Sequence, residues 1–206
     1  MPIRGIPSLV LATGNPHKAK ELSLLLASTE IPLRSLADFP GVSAVAENGG
    51  NLRENACLKA GGYARQLNCW VLADDTGLEV AVLHGAPGVR SARYAGDRAT
   101  REENCRKLLD NLREIAPERR QARFVCHLAL ANPQGEIVLE TEGVCTGSIR
   151  DNPRGEGGIG YDSLFEVQGL NLRLAELTWE QTLEVGHRGR AVDNLLRKLT
   201  NLSEPL

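Results

Sequence analysis

The chain has 206 residues, 42% of them hydrophobic and 24% charged, with 24 Lys plus Arg against 26 Asp plus Glu for a formal net charge of -2. That length can bury a core as a single domain spanning residues 1–206, and the composition excludes a disordered polypeptide. The near-balanced charge, without a Lys/Arg block, argues against nucleic acid or a membrane as partner and leaves room for a small anionic ligand.

No apolar run approaches the roughly 18 residues needed to cross a bilayer, and the opening stretch from Met1 to Pro7 lacks the apolar region of a signal peptide, so a cytoplasmic protein is expected. Five cysteines, Cys57, Cys69, Cys105, Cys126 and Cys145, stand at least 12 residues apart with no C-x-x-C pair. They read as reduced, mostly buried thiols rather than a disulfide framework or a zinc site. His17, His84, His127 and His187 are equally scattered, which speaks against a histidine metal site.

In chain order, Ser8–Ala12 is a short apolar run of strand type. It breaks at Thr13-Gly14-Asn15-Pro16 and becomes helical through Leu26, with Ala19, Leu22, Leu25 and Leu26 on one face. A second strand is expected near Ile31–Leu36. The polar stretch Ala44–Asn51 leads into a helix carrying Leu52, Ala56, Ala60, Tyr63, Ala64 and Leu67, weakened by Gly61-Gly62 at up to about 1 kcal/mol per glycine. Cys69–Ala73 is predicted to be a buried strand ending at Asp74-Asp75-Thr76-Gly77, which places carboxylates where sites usually form in α/β proteins. After a Gly/Pro-rich loop at Gly85–Gly96, Thr100–Arg113 reads as a helix with Thr100 as N-cap and Glu103 in capping-box position. Ala122–Ala131 and Glu136–Cys145 flank Asn132-Pro133-Gln134-Gly135 as a hairpin. A glycine-rich loop at Arg154–Gly160, a strand-like stretch to Val167 and a helical tail from about Val192 to Leu199 complete the chain.

Thr13-Gly14-Asn15-Pro16-His17-Lys18 joins a strand to a helix start, where free backbone N–H groups, the dipole and a lysine can converge on a phosphate; an N-capped turn with a solvated lysine is the plain alternative. Asp74 and Asp75 point to opposite faces of their strand, so at most one shares a cavity with that loop. One carboxylate suffices to bind Mg²⁺ together with substrate phosphate oxygens, or to activate water, although an Asp pair can also simply form a turn. Gly155 to Gly160 formally matches G-x-G-x-x-G, but it neither follows a strand directly nor opens a helix, so a loop that lets backbone approach a ligand is the better reading. Gly186-His187-Arg188 offers a donor or acceptor beside a planar fork of donors, either for a carbonyl edge of a base or as a solvated helix start.

Taken in order, T-G-N-P-H-K at Thr13, E-N-A-C-L-K-A at Glu54, A-D-D-T-G-L at Ala73, the G-A-P-G-V-R-S-A-R-Y-A-G run at Gly85, G-G-I-G-Y-D at Gly157 and G-H-R at Gly186 resemble the inosine triphosphate pyrophosphatase family. The resemblance covers Leu9 to about Leu199. It implies an α/β fold with an elongated mixed β-sheet, flanking helices and two lobes around a central cleft. It further implies a homodimer that hydrolyses XTP, ITP or dITP to the monophosphate and pyrophosphate with Mg²⁺. By the same resemblance Thr13, Gly14, Asn15 and Lys18 form the triphosphate loop, and Lys59 is a second phosphate contact. Asp75 serves the metal and activates water, with Lys18 as the other catalytic group, while Thr76 touches substrate. Ile159, Gly160, Tyr161 and Asp162 belong to the nucleoside pocket, and His187 with Arg188 lies at the base edge.

Three positions depart from the family pattern. Ala46 stands where a metal-binding Glu is usual, with Glu47 beside it as a substitute if the loop shifts. Ile159 replaces the aromatic residue that stacks on the base. Thr182 and Gly186 replace the usual Lys and Ser ahead of His187. These changes bear on affinity and base choice. They also motivate a second expectation, a nucleotide-binding or sensing protein that kept the fold without turnover.

Overall fold

The computed structural model describes residues 6–202, with side chains as far as residue 200; Met1–Gly5, on which part of the signal-peptide argument rests, lie outside the described residues. Six strands form one mixed sheet in the order β2-β1-β3-β4-β5-β6. They are β1 Leu9–Leu11, β2 Leu33–Ser35, β3 Trp70–Val80, β4 Gln121–Ala131, β5 Ile137–Ile149 and β6 Phe165–Val167. The helices are α1 Pro16–Leu25, α2 Leu52–Leu67, α3 Arg101–Leu112, α4 Trp179–Val185 and α5 His187–Leu202. β1 runs parallel to both β2 and β3, with Val10 opposite Arg34 and Val71, whereas β6 runs antiparallel to β5.

The chain divides into two compact units, residues 1–75, 126–143 and 188–206 in one and residues 76–125 and 144–187 in the other. In the first, strand alternation separates two apolar clusters. Leu9 and Leu11 of β1 and Leu72 of β3 pack with Leu22 of α1 and with Ala191, Val192 and Leu195 of α5. Val10, Ala12, Val71 and Ala73 pack instead with Ala56, Ala60 and Ala64 of α2, whose four-residue spacing gives that helix a face of small side chains. The second unit has its own core, in which Leu78 and Val80 of β3 meet Leu108 and Leu112 of α3, with Phe124, Tyr161 and Phe165.

The predicted helix at Thr100 carries its full capping box, with Thr100 Oγ1 accepting from Glu103 N–H and the Glu103 carboxylate accepting from Thr100 N–H. Four boundaries differ from expectation. β3 does not stop at Ala73 but continues through Asp74 and Asp75 to Val80, so the carboxylates lie within a strand and not at its end. β5 extends past Cys145 to Ile149, and only Phe165–Val167 of the strand-like stretch after Gly160 is a strand. α5 begins at His187 and not near Val192, because His187 and Arg188 are buried by partners that a local pattern does not display.

Candidate active site

The loop after β1 is built by its own side chains. Asn15 is the N-cap of α1, and its Oδ1 accepts from His17 N–H at 2.9 Å and Lys18 N–H at 3.3 Å, while Thr13 Oγ1 accepts from Asn15 N–H at 3.2 Å. Pro16 sits in the first turn, where its missing N–H costs nothing. Gly14 is exposed and nothing lies within 4 Å of where its Cβ would be, so the backbone here stays open to a ligand. Lys18 is not the solvated lysine of the plain alternative. Its side chain is 17% exposed and its Nζ stands 2.7 Å from Asp74 Oδ2.

The alternation of β3 carries Asp74 to the side of α1 and α5, and Asp75 to the side of α2. There Lys59 Nζ lies 3.0 Å from Asp75 Oδ1 and 2.8 Å from Glu47 Oε2. Asn55, one turn before Lys59 on α2, donates its amide to Asp75 Oδ2 at 3.3 Å and accepts from Gly49 N–H at 2.8 Å. Glu47 reaches this point because its loop is strapped along α2. Ser43 N–H donates to Gln66 Oε1 at 2.9 Å, Val45 N–H to the Tyr63 hydroxyl at 3.4 Å, and Val45 covers Gly62 so closely that a Cβ there would lie 2.8 Å from its Cγ2. Burial pushes the Asp75 carboxyl above its ordinary value, against the opposing pull of Lys59 and Lys18. Burial works against the Lys59 ammonium, but Asp75, Asp74 and Glu47 outweigh it and hold its pKa above the usual value.

Glu47 and Asp75 thus present hard oxygen donors to one point. Among the described residues no cluster of three or more His, Cys, Asp or Glu could hold a metal. Two carboxylates fit Mg²⁺, which keeps several waters and takes further ligands from substrate phosphates.

Thr76, half-buried, opens the second unit, which also holds Ile159 to Asp162 and His187. The Asp162 carboxylate accepts from Ile159 N–H at 2.6 Å, and Gly158, at φ +76°, would put a Cβ 2.3 Å from Asp162 Oδ2. Glycine is therefore required at that turn. Gly160 O accepts from Arg101 Nε at 2.9 Å, and the Tyr161 hydroxyl donates to Ser91 O at 2.8 Å. Burial pushes the Asp162 carboxyl up to about 7, opposed by the Ile159 hydrogen bond and Arg101. His187 stacks on Phe124 with ring centroids 5.0 Å apart and planes 18° from parallel. A Cβ at Gly186 would lie 2.4 Å from Thr182 O, so this backbone has no room for the family's usual Ser. Arg188, next in the chain, belongs to the first unit, where its guanidinium is buried, donates to Glu21 and stands 3.6 Å from Asp74.

The structure therefore gathers Lys18 with Arg188 around Asp74, Glu47 and Lys59 around Asp75, and Gly160 to Asp162 in one held loop. Three contributors escaped sequence reasoning, Asn55, Glu21 and Phe124, whereas Asp74 entered it only as the other of two candidate carboxylates. Asn55 could have been found from its four-residue spacing to Lys59, and Glu21 from its four-residue spacing to His17. Phe124 gives no such signal, because it meets His187 only through the fold.

An α/β sheet that places a helix-capped loop and two buried lysine–carboxylate pairs in one unit defines a protein built for a phosphate-bearing ligand. The chain belongs to the Ham1 family, which matches residues 9–198. It is 48% identical over 195 residues to the dITP/XTP pyrophosphatase of Elusimicrobium minutum, covering 93% of this chain and 98% of that protein. Against the dITP/XTP pyrophosphatase of Bacillus cereus it is 41% identical over 198 residues, covering 96% and 97%. Among solved structures, the HAM1 protein of Coxiella burnetii superposes with a TM-score of 0.87 at 37% identity, covering 95% of this chain and 100% of that one. The family resemblance read from the six motifs is borne out, as is the mixed α/β sheet.

Proposed function

We propose that this protein hydrolyses the non-standard purine triphosphates dITP, XTP and ITP to the monophosphate and pyrophosphate, clearing deaminated purines from the nucleotide pool. The observation that carries it is the pair of adjacent strand carboxylates, Asp74 and Asp75, each tied to a lysine, Lys18 of the helix that Asn15 caps and Lys59 of α2. The near full-length likeness to proteins named dITP/XTP pyrophosphatase supports the same substrate class.

Thr13, Gly14 and Asn15 bind the triphosphate through backbone and side-chain donors, and Lys18 and Lys59 neutralise its charge. Asp75, as the carboxylate, orients a water toward the α-phosphorus and takes up its proton. The water oxygen bonds to that phosphorus, the bond to the bridging oxygen breaks, and pyrophosphate leaves. Asp75 and Glu47 would hold Mg²⁺, which would supply further charge neutralisation on the phosphates. Thr76 contacts substrate, Ile159, Gly160, Tyr161 and Asp162 line the nucleoside pocket, and His187 and Arg188 meet the 6-oxo edge of the base. An adenine amino group would face those donors with another donor, a mismatch of about 1–3 kcal/mol. The protein acts as one domain, as a homodimer in the cytoplasm, without nucleic acid or membrane partners. No helix among the described residues is long and apolar enough to cross a membrane.

Pyrophosphate release by the purified protein, with and without Mg²⁺, across dITP, ITP, XTP, GTP and ATP tests this directly. The expected result is Mg²⁺-dependent turnover of the deaminated purines ahead of GTP and ATP, with Asp75→Asn lowering kcat by roughly a thousandfold or more. Calorimetric binding of dITP without hydrolysis would favour a nucleotide-binding protein instead, and near-normal activity of Asp75→Asn would refute the assignment of that residue.

A further inference from the structure

A second buried charge cluster lies on the α1/α5 side of the sheet, one residue along β3 from Asp75. Asp74 Oδ2 accepts from Lys18 Nζ at 2.7 Å and stands 3.6 Å from Arg188 Nε. Arg188 Nη1 donates to Glu21 Oε2, and His17 Nδ1 lies 3.9 Å from the same oxygen. The side chains of Asp74, Arg188 and Glu21 are 1%, 3% and 7% exposed. Two cations thus face two anions. Burial and then Arg188 hold the pKa of His17 below its ordinary value.

A lysine in the first turn of a helix has a flexible four-carbon stem and a strongly hydrated head, so left alone it turns to solvent. Here it is drawn inward onto a carboxylate whose strand is packed on both faces. Buried ion pairs contribute little to stability compared with apolar residues of the same size, so a role beyond stability accounts better for this one. Resting on the function proposed above, we propose that Asp74 is a positioning residue. It fixes the Lys18 ammonium beside the phosphate loop and, through Arg188 and Glu21, ties α1 to the first turn of α5.

The test is a double-mutant cycle of wild type, Asp74→Asn, Lys18→Met and the double variant, with kcat and KM measured for dITP at saturating Mg²⁺. Asp74→Asn keeps the shape and removes the charge. If Asp74 acts through Lys18, kcat falls at least about tenfold while KM does not rise, because one negative charge fewer favours the anionic ground state as the ammonium loses its orientation. Once Lys18 is Met, the Asp74 change has no further effect on kcat. A purely structural role would lower kcat by the same factor with or without Lys18. That outcome, or wild-type kcat in Asp74→Asn, overturns the proposal.

Thermal unfolding of the same proteins reads the pairing without turnover. Lys18→Met leaves Arg188 alone against the two anions Asp74 and Glu21, so the double variant, which removes one of them, is expected to melt above Lys18→Met, and equal or lower melting overturns the pairing. This comparison holds even if Asp74→Asn alone does not fold. Wild-type protein that turns over no purine triphosphate refutes the hydrolase and the positioning role with it, whereas an active wild type with independent effects refutes the positioning role alone.

Discussion

Asp162 shows how a single buried carboxyl can couple pH to stability. It is buried in the second unit, and its oxygen holds the turn at Ile159. Burial pushes its pKa from 3.8 up to about 7, so between those values the folded chain holds a proton that the unfolded chain has released. Stability from this group is fully present below about pH 4 and is lost as pH rises through about 7. Asp162→Asn mimics the protonated form and can still accept from Ile159 N–H. It is expected to melt roughly 5 °C above wild type at pH 8, with the gap closing as pH falls toward 4. Thermal unfolding of both proteins across that range checks it, and a pH-independent gap would dissociate the effect from the ionisation of Asp162. The sequence marked Asp162 only through the family motif. Its burial and its bond to Ile159 depend on the fold of the glycine loop, and no local pattern carries them.

At the scale of elements, α2 turns an apparent weakness into a means of placing Glu47. Gly61-Gly62 lowers helix propensity by up to about 1 kcal/mol per residue. The reason for each glycine lies outside the helix. A Cβ at Gly61 would lie 2.8 Å from Gly135 O in the β4–β5 turn, and one at Gly62 would meet the branched side chain of Val45. Gly61→Ala is therefore expected to destabilise by about 1–3 kcal/mol despite better propensity, because backbone must move. Gly62→Ala is expected to leave stability nearly unchanged, since the helical gain offsets the displaced Val45. If Glu47 helps to hold Mg²⁺ as proposed, loosening its strap is expected to raise the Mg²⁺ concentration needed for half-maximal turnover by roughly three- to tenfold. Denaturant melts with a Mg²⁺ titration of each variant separate the two effects. A stability loss in Gly62→Ala as large as in Gly61→Ala would show that the strap belongs to the core. Periodicity located α2 and its alanine face, but it read the glycines only as a cost, since their partners come from remote segments.

Over the whole molecule, the parts legible in advance were those with local causes: the β1–loop–α1 unit, the Thr100 capping box and the hairpin around Asn132. The rest was set by partners distant in sequence. Asp74-Asp75-Thr76-Gly77 has turn composition, yet Lys18 and Lys59 satisfy the carboxylates and β3 runs on through them to Val80. Gly186-His187-Arg188-Gly189 is a poor local helix former, yet α5 starts there with Phe124 against one residue and Glu21 against the next. The same long-range wiring bears on unfolding. The chain passes between its two units after Asp75, Val125, Gly143 and His187, which divides β3, β4 and β5 between them. Neither core can be disordered without breaking the hydrogen-bond ladder of strands that also build the other, so the separate cores are expected to melt in one cooperative transition. The chain's two tryptophans fall one in each unit, Trp70 in the first and Trp179 in the second. Fluorescence-detected urea unfolding of Trp70→Phe and Trp179→Phe therefore reports each unit by itself. Each variant is referenced to its own circular-dichroism transition, so that any stability change from the substitution cancels. Coincident midpoints in both variants are the expected outcome, whereas a fluorescence transition displaced from the circular-dichroism transition in either one would mean that the units unfold independently.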